Sequence, residues 1–102
     1  MKKYNKLVRD LIPDILEEQG GEYVVRQARN DREYFFHLRN KLLEEVSEFM
    51  TCPSAEELAD IREVVNALAF QMGLTVAELE DVRLKKRADR GGFSRQWILE
   101  EA

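Results

Sequence analysis

Four carboxylates in the middle of the chain have the types and the spacing of a metal site. Glu45 and Glu48 lie three residues apart, and Glu57 and Asp60 repeat that spacing further along the chain. Residues three apart on a helix share one surface, so each pair is expected to form a patch of neighbouring carboxylates. Four carboxylates in one place repel one another unless a hard divalent cation neutralises them, and oxygen ligation suits Mg²⁺ or Mn²⁺. Such a metal would bridge phosphate oxygens and help to generate a hydroxide nucleophile.

Each of these acids also has a purely structural interpretation. Glu57 can be the third-position member of a capping box, and Asp60 can favour the positive end of a helix dipole. Glu45 and Glu48 can be ordinary solvent-facing glutamates that pair with Lys41 and Arg62. The metal-site hypothesis therefore depends on the two pairs occurring together on adjacent helices.

The elements that must position these acids are predicted to be helices. Three segments begin with a capping side chain followed three residues later by glutamate, and apolar residues then recur in steps of three and four. Proline and glycine lie where these apolar patterns stop, which is typical of helix ends. The predicted helices begin after Asn30, Ser54 and Thr75 and end before Pro53, Gly73 and Gly91.

The segments that flank these helices are less regular. Pro13 predicts the first turn of a short helix that ends near Gln19, and residues 22–26 are typical of an extended arm or a short strand. The last stretch, which contains Trp97, is expected to dock on the bundle or on a second subunit. The expected fold is all-α, a helical hairpin with flanking helices, in a single domain covering residues 1–102. A short connection favours an antiparallel hairpin, which would bring the two acidic pairs face to face.

Composition and charge narrow the classes of function. The formal net charge is −4, and the basic stretch from Arg83 to Arg95 lacks the broad positive field that stable nucleic-acid binding needs. No apolar run approaches membrane-spanning length, and no apolar segment follows the basic N-terminus, so neither a membrane span nor a signal peptide is expected. The single cysteine, Cys52, cannot form an internal disulfide, which suits the reducing cytoplasm.

Aromatic residues predict a second apolar surface. Phe36 and Phe70 lie off the main apolar stripes of their helices. A chain of 102 residues encloses only a modest core by itself. These rings are therefore expected to be buried by pairing of two hairpins into a four-helix-bundle-type oligomer, at least a homodimer.

Two acidic motifs and two terminal motifs of the chain resemble those of a known superfamily. The acidic motifs are similar to its E-E-x-x-E and E-x-x-D elements, and the terminal motifs are similar to those of its short members. In chain order the motifs are Tyr4-Asn5-Lys6-Leu7-Val8-Arg9-Asp10, Leu43-Glu44-Glu45-x-x-Glu48, Glu57-Leu58-Ala59-Asp60 and Lys86-x-x-x-Arg90-Gly91-Gly92-Phe93. The superfamily is that of the all-α nucleoside triphosphate pyrophosphohydrolases, which includes MazG-type enzymes, dimeric dUTPases and phosphoribosyl-ATP pyrophosphohydrolase. The closest resemblance is to the short MazG-like proteins.

The resemblance implies cleavage between the α and β phosphates of a nucleotide, which gives a nucleoside monophosphate and pyrophosphate. The implied Mg²⁺ ligands, for which Mn²⁺ can substitute, are Glu45, Glu48, Glu57 and Asp60. The implied catalytic residues are Glu44 and Glu45, with Glu44 orienting or activating water, although helix angles turn Glu44 away from the other acids.

The resemblance and the charge pattern together suggest which residues bind phosphate. Guanidinium and ammonium groups supply the donors that phosphate oxygens need. Arg9 also has a structural alternative, since it can pair with Asp10 or with a helix terminus. The candidate substrate-binding residues are Lys6, Arg9, Lys86 and Arg90.

The competing interpretation is a non-catalytic helical module, a dimerising or regulatory protein with a degenerate nucleotide site. It explains the helix caps and the apolar stripes and treats the acids as solvated. Metal binding distinguishes the two interpretations, because such a module has no reason to bind Mg²⁺ or Mn²⁺ between its central acids.

Overall fold

Four α-helices and no β-strand make up the regular structure of the chain, which a computed structural model describes over residues 1–102. The all-α prediction is confirmed, and the segment predicted as an extended arm or strand, residues 22–26, forms no strand. No helix combines the length and the apolar character that crossing a membrane requires. The helices are α1 (Ile12–Glu18), α2 (Asp31–Thr51), α3 (Ala55–Gln71) and α4 (Val76–Arg90).

Capping side chains fix where the three long helices begin. The side chains of Asn30, Ser54 and Thr75 each accept a hydrogen bond from the backbone N–H three residues further on. Only at α4 is the capping box complete, because there the Glu78 carboxylate accepts a hydrogen bond from the Thr75 backbone N–H at 3.2 Å. At α3 the Glu57 carboxylate makes no such return bond, so it is left for contacts elsewhere.

A hairpin of α2 and α3 forms the centre of the fold. The connection from Cys52 to Ser54 folds α3 back along α2, and these two helices make the main interhelical contact. α4 packs only on α3, and α1 packs against no other helix. The buried apolar residues of the chain are Leu38, Val64 and Ala69.

Much apolar surface stays uncovered in a single chain. The solvent-accessible area is 9555 Å², whereas a compact monomer of this mass exposes about 6,000 Å². The radius of gyration is 17.6 Å, against about 13 Å for a compact domain of this length. One chain therefore leaves large apolar faces in solvent. The exposed apolar residues include Phe36, Leu43, Val46 and Met50 on α2, Phe70 on α3, and Phe93, Trp97, Ile98 and Leu99 after α4.

Candidate metal centre

The hairpin brings three of the predicted acids into one cluster, here called the acidic cluster. One carboxylate oxygen from each of Glu45, Glu57 and Asp60 lies within 4.8 Å of the others. The three-residue spacing puts Glu57 and Asp60 on one surface of α3, and α2 contributes Glu45 from across the hairpin. Glu45 is buried and the other two are half-buried. The two helices thus supply hard oxygen donors to one point.

Two oxygens of the acidic cluster have no hydrogen-bond partner. The Oε2 atoms of Glu45 and Glu57 are both shielded from solvent and unpaired. The side chain of Glu45 is only 9% exposed, so this carboxylate is more than nine-tenths buried. A buried acceptor without a partner costs about 1–3 kcal/mol, and more when it is charged. A cation bound among the three carboxylates would satisfy both oxygens.

The pKa of Glu45 also indicates that its buried charge is only partly compensated by neighbouring groups. Burial raises the pKa of the Glu45 carboxyl, and the adjacent Glu48 carboxylate raises it further. Lys41 opposes this rise from one turn away on α2, with its Nζ atom 3.4 Å from the Glu45 Oε1 atom. The net direction of the pKa is still upward, so Lys41 alone does not compensate the burial of this acid.

Glu48, the fourth predicted ligand, lies at the rim of the acidic cluster. It is exposed, and its carboxyl lies against that of Glu45 rather than within the group of three. Next to it is a shallow cavity of about 290 Å³. The structure therefore brings three predicted ligands together and leaves the fourth beside them. The residues that line the cavity are Ser47, Glu48, Thr51, Cys52 and Glu57.

Glu44 lies outside the acidic cluster and is held by two ammonium groups. It accepts hydrogen bonds from the Nζ atoms of Lys6 at 2.8 Å and Lys41 at 3.2 Å. The hydrogen bond from Lys6 is the main reason why the pKa of Glu44 lies below its usual value. Glu44 is therefore an ionised, half-buried carboxylate next to the cluster.

Two cations of the N-terminal segment reach these acids. The Arg9 Nη2 atom donates to the Asp60 Oδ1 atom at 2.7 Å, and Lys6 pairs with Glu44 as described above. The side chain of Arg9 therefore pairs with Asp60 and not with Asp10 or a helix terminus. The contact between Arg9 and Asp60 was not predicted from the sequence. It joins residues 51 positions apart, and no periodic pattern indicates it.

The other two predicted phosphate-binding residues, Lys86 and Arg90, form no hydrogen bond or ion pair with the acidic cluster. Both are exposed on α4, and neither forms an ion pair within the chain. Their helix is held only by α3. Within one chain they remain solvated cations.

The donors of the acidic cluster fit Mg²⁺ or Mn²⁺ better than softer metals. All three are carboxylates, and such ions bind through one or more carboxylates while keeping several waters. Zn²⁺ sites usually include histidine or cysteine. The only histidine and the only cysteine, His37 and Cys52, are both outside the cluster.

Comparisons with known proteins found no relative of this chain. No protein-family model, no curated protein and no solved structure matches the chain. The chemistry of the site follows from its own residues. It combines hard oxygen donors, two unpaired buried oxygens and a pair of basic side chains at its edge.

Proposed function

We propose that the protein is a Mg²⁺-dependent nucleotide pyrophosphohydrolase that cleaves between the α and β phosphates. The products would be a nucleoside monophosphate and pyrophosphate. The observation that carries the proposal is the buried Glu45 carboxylate, whose Oε2 atom is unpaired beside Glu57 and Asp60. The choice of the bond that is cleaved rests on the resemblance of the four motifs to the all-α pyrophosphohydrolases, including the MazG-like proteins.

In this proposal the acidic cluster holds the ion and Glu48 joins it from the rim. A bound Mg²⁺ or Mn²⁺ would neutralise phosphate oxygens and supply a more acidic water. Glu44, an ionised carboxylate that is also held by Lys41, can accept a hydrogen bond from the attacking water and orient it. Glu45 is the second candidate catalytic residue, because it is a buried carboxylate of the acidic cluster and would hold the ion next to the attacking water.

Basic residues would bind the phosphate chain of the nucleotide. Lys6 and Arg9 already lie at the acids, and their side chains are 41% and 59% exposed, so both can contact a ligand in solvent. Lys86 and Arg90 on α4 are free of ion pairs and are proposed to act on the site of a second copy. Charge-assisted hydrogen bonds of this kind are among the strongest in proteins.

The working unit is proposed to be an oligomer, at least a homodimer in which two hairpins form a four-helix bundle. Phe36, Leu43 and Met50 are each seven residues apart on α2, and Val46 lies between them on the same exposed stripe. This heptad pattern is typical of a helix that packs against another helix. The area exposed beyond that of a compact monomer is about 3,500 Å², more than the ~800 Å² that each partner buries in a standard interface.

The cavity next to Glu48 gives a second reason for self-association. Its volume is about 290 Å³, and none of its five lining residues is aromatic or aliphatic, so it offers no such wall for a base. Binding sites for molecules of nucleotide size usually occupy about 300–1,000 Å³ and are lined largely by apolar side chains. A second copy is proposed to supply that wall.

The proposed setting and partners are those of a nucleotide enzyme. Cys52 is a free and exposed thiol, which suits a reducing compartment such as the cytoplasm. The net charge of −4 disfavours stable binding to nucleic acid. The expected partners are a nucleotide and other copies of the chain.

One observation favours the competing function, a non-catalytic helical module that dimerises. Lys41 and Arg9 already pair with Glu45 and Asp60, as they would in a protein that binds no metal. Such a module would use the exposed stripe of α2 for association and would leave the Oε2 atoms of both Glu45 and Glu57 unpaired. Binding of a divalent ion separates the two functions.

A pyrophosphate-release screen over common and modified nucleotides, with Mg²⁺ and with Mn²⁺, tests the proposal. Phosphorus NMR of the active mixtures identifies the products. We expect monophosphate and pyrophosphate from the wild type, a severe loss of activity in Glu57→Gln, and full activity in the matched control Glu56→Gln, which changes an exposed acid on the same helix. Orthophosphate as the primary product would refute the assignment, and no hydrolysis of any nucleotide would favour the helical module.

A further inference from the structure

The N-terminal segment crosses the hairpin directly at the proposed metal site. Residues 1–9, here called the strap, have no regular secondary structure. Lys6 of the strap pairs with Glu44 on α2, and Arg9 pairs with Asp60 on α3. One short segment thus places two cations, three residues apart, on acids of both helices.

The two pairs differ in what they touch. Asp60 belongs to the acidic cluster, so the guanidinium of Arg9 and a bound metal ion would compete for the charge of the same carboxylate. Glu44 lies outside the cluster, so Lys6 does not compete in this way. The Arg9–Asp60 pair is also partly open to solvent, with side chains 59% and 35% exposed, and pairs of this kind are weak enough to exchange.

The charges around the site agree with such an exchange. The carboxylates exceed the cations by two, which is the charge of one divalent ion. With one divalent ion bound, the side chains and the ion together carry no net charge. A polyphosphate then brings uncompensated negative charge, which attracts the nearest exposed cations, those of the strap. The acids are Glu44, Glu45, Glu48, Glu57 and Asp60, and the cations are Lys6, Arg9 and Lys41.

We propose that the strap exchanges partners when the ligand binds. Without a polyphosphate, Arg9 pairs with Asp60 and Lys6 pairs with Glu44. When a polyphosphate binds, both side chains pair with its phosphate oxygens instead. A free metal ion must then compete with Arg9, whereas a metal–polyphosphate complex removes Arg9 from Asp60. The site consequently selects the metal–polyphosphate complex over the bare ion. This inference rests on the proposed function.

Calorimetric titrations of the full chain test the exchange. We expect Arg9→Ala to bind Mn²⁺ about two- to fivefold more tightly than the wild type, because a weak competing ion pair is removed. In saturating Mn²⁺ we expect the same variant to bind inorganic pyrophosphate at least about tenfold more weakly, because charge-assisted hydrogen bonds are lost. The opposite signs of the two changes are the signature of the exchange.

Three further variants serve as controls. Lys3→Ala removes the same charge from the strap at a residue without an ion pair, so we expect both affinities to stay at the wild-type value. Arg9→Lys keeps the charge and should restore most of the pyrophosphate affinity. Lys6→Ala should weaken pyrophosphate binding and change Mn²⁺ affinity less than Arg9→Ala does, because its direct partner Glu44 is not a member of the acidic cluster.

Each of the other outcomes would refute the exchange, and each would do so for a different reason. If Arg9→Ala binds Mn²⁺ about 10–100-fold more weakly, Arg9 supports Asp60 as part of the metal site and does not compete with the ion. If Mn²⁺ affinity is unchanged, or if pyrophosphate affinity is unchanged, the exchange is also refuted while the proposed function stands. If the wild type binds no Mn²⁺ at all, the proposed function and the exchange are refuted together.

Discussion

Replacing Glu45 with glutamine should make the metal-free protein more stable, although it removes a proposed metal ligand. The Oε2 atom of Glu45 is buried and unpaired, and burial together with Glu48 raises the pKa of this carboxyl. The amide of glutamine carries no charge, and its N–H groups can donate to the unpaired Oε2 atom of Glu57. The substitution therefore removes an unfavourable buried charge and supplies a missing donor.

The size of the effect follows from the contacts of Glu45. An unsatisfied buried acceptor costs about 1–3 kcal/mol, and the loss of the 3.4 Å contact with Lys41 offsets up to about 1 kcal/mol of that gain. A net stabilisation of about 1 kcal/mol raises the melting temperature of a domain of this size by about 4–8 °C.

The stabilisation should depend on pH in a defined direction. A carboxyl whose folded-state pKa is raised destabilises the folded state when it ionises, so the penalty is present above the folded pKa and absent below the ordinary glutamate value. The advantage of Glu45→Gln should therefore be largest at neutral pH and should vanish as the solution is acidified below the ordinary pKa of glutamate. Thermal unfolding followed by circular dichroism at a fixed protein concentration measures this.

Addition of Mn²⁺ should reverse the order of the two proteins. An ion at 100 times its dissociation constant stabilises the folded state by about 2.7 kcal/mol, and only the wild type would receive this. Glu44→Gln is the matched control, because Glu44 has two lysine partners and its replacement should lower stability slightly, by up to about 1 kcal/mol. A metal-free Glu45→Gln that melts at or below the wild-type temperature would refute the reasoning.

Three further predictions follow from other parts of the structure. Leu43→Glu on the exposed stripe of α2 should shift the protein to the monomer mass in sedimentation equilibrium. The control Ala77→Glu on α4 should leave the mass unchanged. An unchanged mass for Leu43→Glu would show that this stripe is not the interface. The only tryptophan, Trp97, is 84% exposed in one chain, so its emission should shift to the blue as protein concentration rises, and emission independent of concentration would contradict docking on a second copy. Arg26 lowers the pKa of Glu33 to about 2, so the stabilising effect of this pair should persist above the ordinary glutamate pKa and disappear only as pH falls through about 2. Acid unfolding of Glu33→Gln should lack this contribution, and an acid-unfolding curve identical to the wild type would contradict it.

The helices could be predicted from the sequence because their signals are local. The Asn30, Ser54 and Thr75 side chains cap the helices that were expected to begin after them. The full capping-box pattern predicted less well, because the hydrogen bond from the backbone N–H of the cap residue to the glutamate side chain forms only at Thr75. At α3 the glutamate in the box position, Glu57, lies in the acidic cluster instead. The Glu57 carboxylate therefore does not complete a capping box and is instead a proposed metal ligand.

The candidate site could be predicted only in part. Helical spacing correctly placed Glu57 and Asp60 on one surface, and the short connection brought Glu45 to them. Spacing alone did not show that Glu48 lies further out, because Glu45 and Glu48 have the same three-residue spacing as Glu57 and Asp60, and only the packing of α2 on α3 decides which of them faces the partner helix. The position of Arg9 on Asp60 depends on the path of an irregular segment, and no sequence period encodes such a path.

The central claim is that the acidic cluster binds one divalent ion. Electron paramagnetic resonance measures it directly, because bound Mn²⁺ loses the sharp signal of the free ion. The account predicts one bound Mn²⁺ per chain in the wild type, a severe loss of binding in Asp60→Ala, and normal binding in Glu56→Ala, which removes an exposed acid from the same helix. Equal Mn²⁺ binding by the wild type and Asp60→Ala, or no binding by either, would contradict it.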